Sequence, residues 1–91
     1  MTVALMWEAR AAEGRGAELL EWARARASEL AGEPLRSELL RAPQDRVLVL
    51  TWWDAGYDEM SELPELPEPE AGLISRPVHR WRFESLGPAG G

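Results

Sequence analysis

Few side chains in this sequence could do acid–base or aromatic chemistry. One histidine, His79, opens the stretch His79–Glu84 (HRWRFE), where it alternates with Arg80, Arg82 and Glu84 and shares its parity with Trp81 and Phe83. Imidazole is the one side-chain type that titrates near neutrality, at about pH 6.5 when unperturbed. Among aromatics on one face of a strand it could serve as a general base in an apolar pocket. The plainer reading is a histidine hydrogen-bonded at a sheet margin. Five tryptophans, Trp7, Trp22, Trp52, Trp53 and Trp81, are the other resource. They supply core and interface area, or they line a pocket for a flat, polycyclic or quinone-like molecule. On the second reading the pocket candidates are Trp7, Trp53, Trp81 and His79.

Other chemistries find little support. The chain has no cysteine, which removes disulfides and thiolate metal sites. One histidine without cysteine cannot assemble the usual zinc ligand set, so no metal is expected. No nucleophile elbow, phosphate loop or nucleotide fingerprint is present, and no cofactor is expected. A net charge of −6 weighs against nucleic acid, whose phosphates need a basic face. No apolar run approaches the ~20 residues of a membrane span. The start, MTVALMWEAR, lacks a basic n-region and a long apolar run, so a signal peptide is not expected. A soluble cytoplasmic protein is the expectation. An acidic run, Asp58, Glu59, Glu62, Glu65, Glu68 and Glu70, is interleaved with Pro64, Pro67 and Pro69. It could attract a basic partner or divalent cations. Prolines hold its carboxylates apart, however, and it reads as a solvated crossing loop.

A sheet has to carry these side chains. Arg46–Asp54 (RVLVLTWWD) is apolar on both faces, with Val47, Val49 and Trp53 on one and Leu48, Leu50 and Trp52 on the other. That is the pattern of a strand buried on both sides. Thr2–Arg10 reads the same way, with Val3, Leu5, Trp7 and Ala9 on one face and Ala4, Met6 and then Glu8 on the other. Between them, residues 17–30 place Leu19, Leu20, Ala23, Ala27 and Leu30 at helical spacings. Residues 34–42 form a more polar strand, although LRSELLR also fits a helical period. The short APQD turn that follows leads straight into RVLVLTWWD and favours the strand. Residues 57–63 are expected to form one or two helical turns, followed by an extended, polyproline-like PELPEPE crossing. Residues 75–86 form the last strand, which Pro77 demotes to an edge or whose first residues it marks. Residues 1–86 make one domain, enough to bury about 60% of the unfolded surface, and residues 87–91 (GPAGG) are expected to be a disordered tail.

The order β-α-β-β-(short α)-β predicts an α+β, ferredoxin-like antiparallel sheet, with the first and third strands central and the second and fourth at the edges. The charge pattern agrees, because the doubly apolar strands are the first and third. One helical layer cannot cover both faces. Leaving Leu48, Leu50 and Trp52 in water forgoes several kcal/mol, at about 1.5–3 kcal/mol per large side chain. Such a patch marks an interface. A homodimer, sheet face to sheet face about a two-fold axis, is therefore expected.

VALMWEARAAEGRGAELLEWARA followed by RVLVLTWWD resembles the antibiotic-biosynthesis-monooxygenase-like domains of the dimeric α+β barrel superfamily. The resemblance spans residues 2–86 as topology, while only these two segments carry it in residues. It implies a homodimeric, cofactor-free monooxygenase acting on aromatic or quinone-like molecules. The alternative is a non-catalytic ligand-binding or dimerisation module of the same fold. The departure lies at residues 54–74, where such domains have a proper second helix. Relatives that degrade haem resemble one another in a first-strand Asn and in a Trp and an axial His on the second helix. This chain has no Asn, and residues 54–74 contain neither Trp nor His, so haem is mostly excluded.

Overall fold

A computed structural model describes residues 1–57 and 62–90. Its elements are β1 (Thr2–Arg10), α1 (Gly16–Ser28), β2 (Arg36–Ala42), β3 (Arg46–Asp54), a 3-10 turn (Ala71–Leu73) and β4 (His79–Glu84). The strands make one four-stranded sheet in the order β2-β3-β1-β4, and every neighbouring pair is antiparallel. The two strands that are apolar on both faces therefore occupy the centre. The result is a small α+β fold, compatible with a ferredoxin-like arrangement.

Strand alternation sorts the side chains cleanly. Val47, Val49, Thr51 and Trp53 of β3 are buried, while Leu48, Leu50 and Trp52 between them are only partly so. Opposite them on β1, Val3, Leu5, Trp7 and Ala9 are buried on the same side. Leu19 and Ala23 of α1 pack onto this face with Trp7, Ala9, Val47 and Val49. Alanine at these contacts lets the helix axis approach the sheet. Trp22, at the margin of the helix stripe, stacks on Trp7 with ring centroids 5.9 Å apart. Val3, Leu5 and Trp53 form a second cluster beyond the end of the helix.

Local chemistry sets the joins. Glu18 in the first turn of α1 suits the positive end of the helix dipole, and it accepts a hydrogen bond from Arg15 Nε at 3.0 Å. Past the helix, Gly32 turns the chain at φ +77, a region that glycine enters without steric cost, where a Cβ would sit 3.4 Å from the Trp53 ring. For residues 34–42 the strand prevails over the helical alternative, because β3 offers the whole of β2 a ladder. In the β2–β3 connection, Gln44 and Asp45 take φ of 67 and 56. Asp tolerates this left-handed region through its short polar side chain.

The crossing from β3 to β4 differs from the sequence expectation. The helical turns expected over residues 57–63 fall on residues 58–61, which lie outside the described residues. From Glu62 to Pro69 the chain has no regular structure. At its end, Glu70 has φ −58 and ψ 147, the polyproline conformation. The crossing is not merely solvated. Its glutamates are exposed, but Leu66 and Leu73 are each only 2% exposed and belong to the core beneath α1.

The last strand is shorter than residues 75–86, because Pro77 has no N–H for the ladder. Its register also decides its faces. Arg80, Arg82 and Glu84 stand opposite Trp7, Leu5 and Val3 on the helix side, and His79, Trp81 and Phe83 stand opposite Glu8, Met6 and Ala4 on the other. The charged residues thus take the helix side of the sheet, where Arg80 and Glu84 stay exposed and Arg80 reaches the Leu66 carbonyl at 2.7 Å. Among the described residues no helix is long and apolar enough to cross a membrane.

Trp53 is 6% exposed, and its Nε1 donates to Thr51 Oγ1 at 2.8 Å. Trp53→Ala is therefore expected to lower the unfolding free energy by about 3–5 kcal/mol in urea titrations. A loss below about 1 kcal/mol would identify the ring as a solvent-reached lining instead of core.

Candidate functional site

The sheet divides the four pocket candidates. Trp7 and Trp53 lie on the covered face, buried in core, whereas His79 and Trp81 lie on the open face. The sheet therefore stands between the two pairs. On the covered face the cleft lined by Trp7, Leu5, Leu30, Val49, Thr51 and Leu66 holds only about 10 Å³, space for about one water molecule.

The open face is richer. Along its centre run Ala4 and Met6 of β1 and Leu48, Leu50 and Trp52 of β3, flanked by Leu40 of β2 and by Trp81 and Phe83 of β4. Trp81 is 61% exposed and Phe83 48%. The Arg36 guanidinium lies over the Trp52 ring at 5.0 Å and pairs with Glu38 at 2.9 Å. Polar residues on the same face stand toward the strand ends: Arg10, Arg36 and Arg46 against Glu8, Glu38 and Asp54.

One of these charges is nearly buried. Glu8 sits in the central strand with its side chain 11% exposed. Arg76 Nη2 donates to its Oε1 at 2.7 Å, and Arg46 Nη1 donates to its Oε2 at 3.3 Å. His79, its register partner on β4, brings Nδ1 within 3.4 Å of Oε1. Burial by itself pushes the Glu8 carboxyl upward. The Arg76 hydrogen bond and the charges of Arg76, His79 and Arg46 outweigh that, and hold it below its ordinary value of 4.5. Each oxygen has its own guanidinium, so the carboxylate stays ionised in a central strand.

Nδ1 of His79 thus lies at ion-pair distance from the Glu8 carboxylate, with the imidazole about half exposed on the open face. Trp81, two residues along the same face, places a large aromatic surface near it. Among the described residues no group of three or more His, Asp or Glu side chains could hold a metal ion. Sequence reasoning singled out His79 but missed Glu8, Arg46 and Arg76 as its partners. The available signal was the carboxylate itself: a charge flanked by apolar residues in a central strand has to be paired.

No known protein family, no curated protein and no solved structure matches this chain.

The sign of the Glu8 effect follows from its lowered value. The stabilisation is complete above about 4.5, the ordinary value, and is lost as pH falls through the lower folded-state value. Glu8→Gln is expected to cost about 1–3 kcal/mol near neutral pH, the scale of a hydrogen bond to a charged group. The gap between variant and wild type should close in acid. Urea unfolding of both proteins across the acid limb measures it, and a gap that stays constant with pH would show that the carboxylate charge contributes nothing.

Proposed function

We propose that this chain is a cytoplasmic, ferredoxin-like dimerisation module in which two copies pack open sheet face to open sheet face about a two-fold axis, as in a dimeric α+β barrel. The observation that carries the reading is the make-up of that face. Its middle holds Met6, Leu48, Leu50, Trp52, Trp81 and Phe83 on one continuous four-stranded surface. Its polar residues include three cations, Arg10, Arg36 and Arg46, and three anions, Glu8, Glu38 and Asp54. An isologous interface presents the same patch to itself, so a patch of one sign repels its copy and a balanced one does not. The chain as a whole carries −6. The acid excess therefore lies off this face, on the crossing, and a second copy can approach without strong repulsion.

A catalytic reading keeps one specific support besides the resemblance to cofactor-free monooxygenases. His79 lies at ion-pair distance from Glu8 and shares the open face with Trp81 and Phe83. An aromatic or quinone-like substrate held there would meet Nε2 as a base. Against this, Trp7 and Trp53 point to the opposite side of the sheet. Oxygen consumption with anthrones and hydroquinones separates the two readings: turnover that Glu8→Gln slows and His79→Ala abolishes supports catalysis. No turnover by wild type leaves the module.

Sedimentation velocity at micromolar concentration is expected to give a particle of twice the 10.2 kDa chain mass. Leu50→Glu, which sets two like charges against each other across the proposed axis, is expected to yield a folded monomer. A wild type that sediments as a monomer overturns the proposal.

A further inference from the structure

The covered side of the sheet carries an unmet hydrogen-bonding demand. Trp7 is 3% exposed, and its Nε1–H has no acceptor among the described residues. A buried donor without a partner is costly, and native cores avoid it. Trp7 lines the cleft between the sheet and the acidic proline-rich crossing, together with Leu5, Val49, Thr51 and Leu66. Thr51 Oγ1 already accepts from Trp53, which leaves the hydroxyl hydrogen of Thr51 as a second donor beside the cleft. Met6, Leu30, Pro64 and Glu65 complete the lining, so the walls are mostly apolar, and the buried polar atom they leave without a partner is a donor.

Leu66 fills most of this space, being 2% exposed and packed with Trp7 and Val49. It is held there in an unusual way. Among the described residues, no backbone-to-backbone hydrogen bond ties residues 62–69 to the rest of the chain. The segment is fastened through side chains. Arg80 Nη1 donates to the Leu66 carbonyl at 2.7 Å and lies 3.8 Å from Glu65, and Glu68 Oε1 accepts from the Val78 N–H at 3.2 Å. Pro64, Pro67 and Pro69 bar this segment from helix, so withdrawing Leu66 requires no helix to unwind.

We infer that the space beneath the crossing is a binding site for a small, flat, apolar molecule bearing an acceptor oxygen, that Trp7 Nε1 is its donor, and that Leu66, latched by Arg80, occupies the site in the free protein. The ligand displaces Leu66 and supplies the acceptor that Trp7 lacks. Because the open state is the minor one, apparent affinity is the intrinsic affinity reduced by its population. Weakening the latch therefore tightens binding. The site faces away from the dimer surface, and the inference does not depend on the oligomeric state.

The test uses 1-indanone, a flat bicyclic ketone with one acceptor, and indane, the same rings without it, titrated calorimetrically into the full chain. Wild type is expected to bind 1-indanone and to prefer it over indane. Arg80→Ala should bind 1-indanone about tenfold more tightly, as the competent fraction rises. Trp7→Phe should lose the preference for ketone over hydrocarbon, with circular dichroism verifying the fold. Hydrogen exchange gives a reading that needs no core substitution: 1-indanone should speed exchange at the Val78 amide, which donates to Glu68, in wild type while β1 stays protected. Several results overturn the inference: no binding by wild type or Arg80→Ala, equal affinity in the two, or an undiminished ketone preference in Trp7→Phe. So does a crystal structure with only a water on Trp7 Nε1 after soaking in 1-indanone.

Discussion

The structure depends on the pairing of β1 with β3. These strands run antiparallel over nine residue pairs, from Thr2 opposite Asp54 to Arg10 opposite Arg46. Because both are apolar on both faces, their union creates two apolar surfaces at once, and everything else answers to that. Helix α1, Leu66 and Leu73 cover the odd-numbered side of β1. On the even-numbered side the chain offers no second layer among the described residues. The α+β arrangement is thus asymmetric by composition: the residues that could form a second helical layer are spent on a proline-rich crossing, and that crossing returns to the side already covered.

Glu8 shows how the open side tolerates a charge in a central strand. A carboxylate in a central strand is acceptable only if its lone pairs and its charge are both met. Arg46 comes from the start of β3, Arg76 from the approach to β4 and His79 from β4 itself. The cluster ties three strands together at one end of the sheet, so the same ion that is costly to bury also fixes the register of β4. Its partners remain partly exposed, which keeps the energy at the scale of a few hydrogen bonds, well below that of a buried ion pair.

Much of the fold was legible in the sequence because it rests on period and turn chemistry. Strand alternation in RVLVLTWWD, the helical spacing of Leu19, Ala23 and Ala27, and charge on β2 and β4 sufficed for the elements and for their order in the sheet. The site was less legible. Which face His79 and Trp81 would take depended on one residue of register between β1 and β4, and a shift of one sends every side chain to the opposite face. Likewise, nothing local to Arg76 or Arg46 announces that both reach Glu8, 68 and 38 positions away. The burial of Leu66 was hidden by its setting, since one apolar residue among prolines and glutamates reads as loop.

The crossing also gives the all-arginine composition a physical role. A helix satisfies its own backbone, whereas an extended strap outside the sheet does not, and its carbonyls near the core need donors from elsewhere. Arg80 serves the Leu66 carbonyl and Arg15 the Gly72 carbonyl, each at 2.7 Å, and Arg46 serves the Pro43 carbonyl in the β2–β3 connection at 3.0 Å. The same guanidiniums pair with carboxylates: Arg15 with Glu18 and Glu70 and Arg46 with Glu8 through their other nitrogens, and Arg80 with Glu65 through the same Nη1. A lysine ammonium is a compact point charge; the planar fork of arginine holds a carbonyl and a carboxylate at once in fixed directions. An extended, proline-rich strap therefore leaves the work of fastening that segment to a few arginines. Fastenings of this kind can be undone one at a time, as those of a helix cannot.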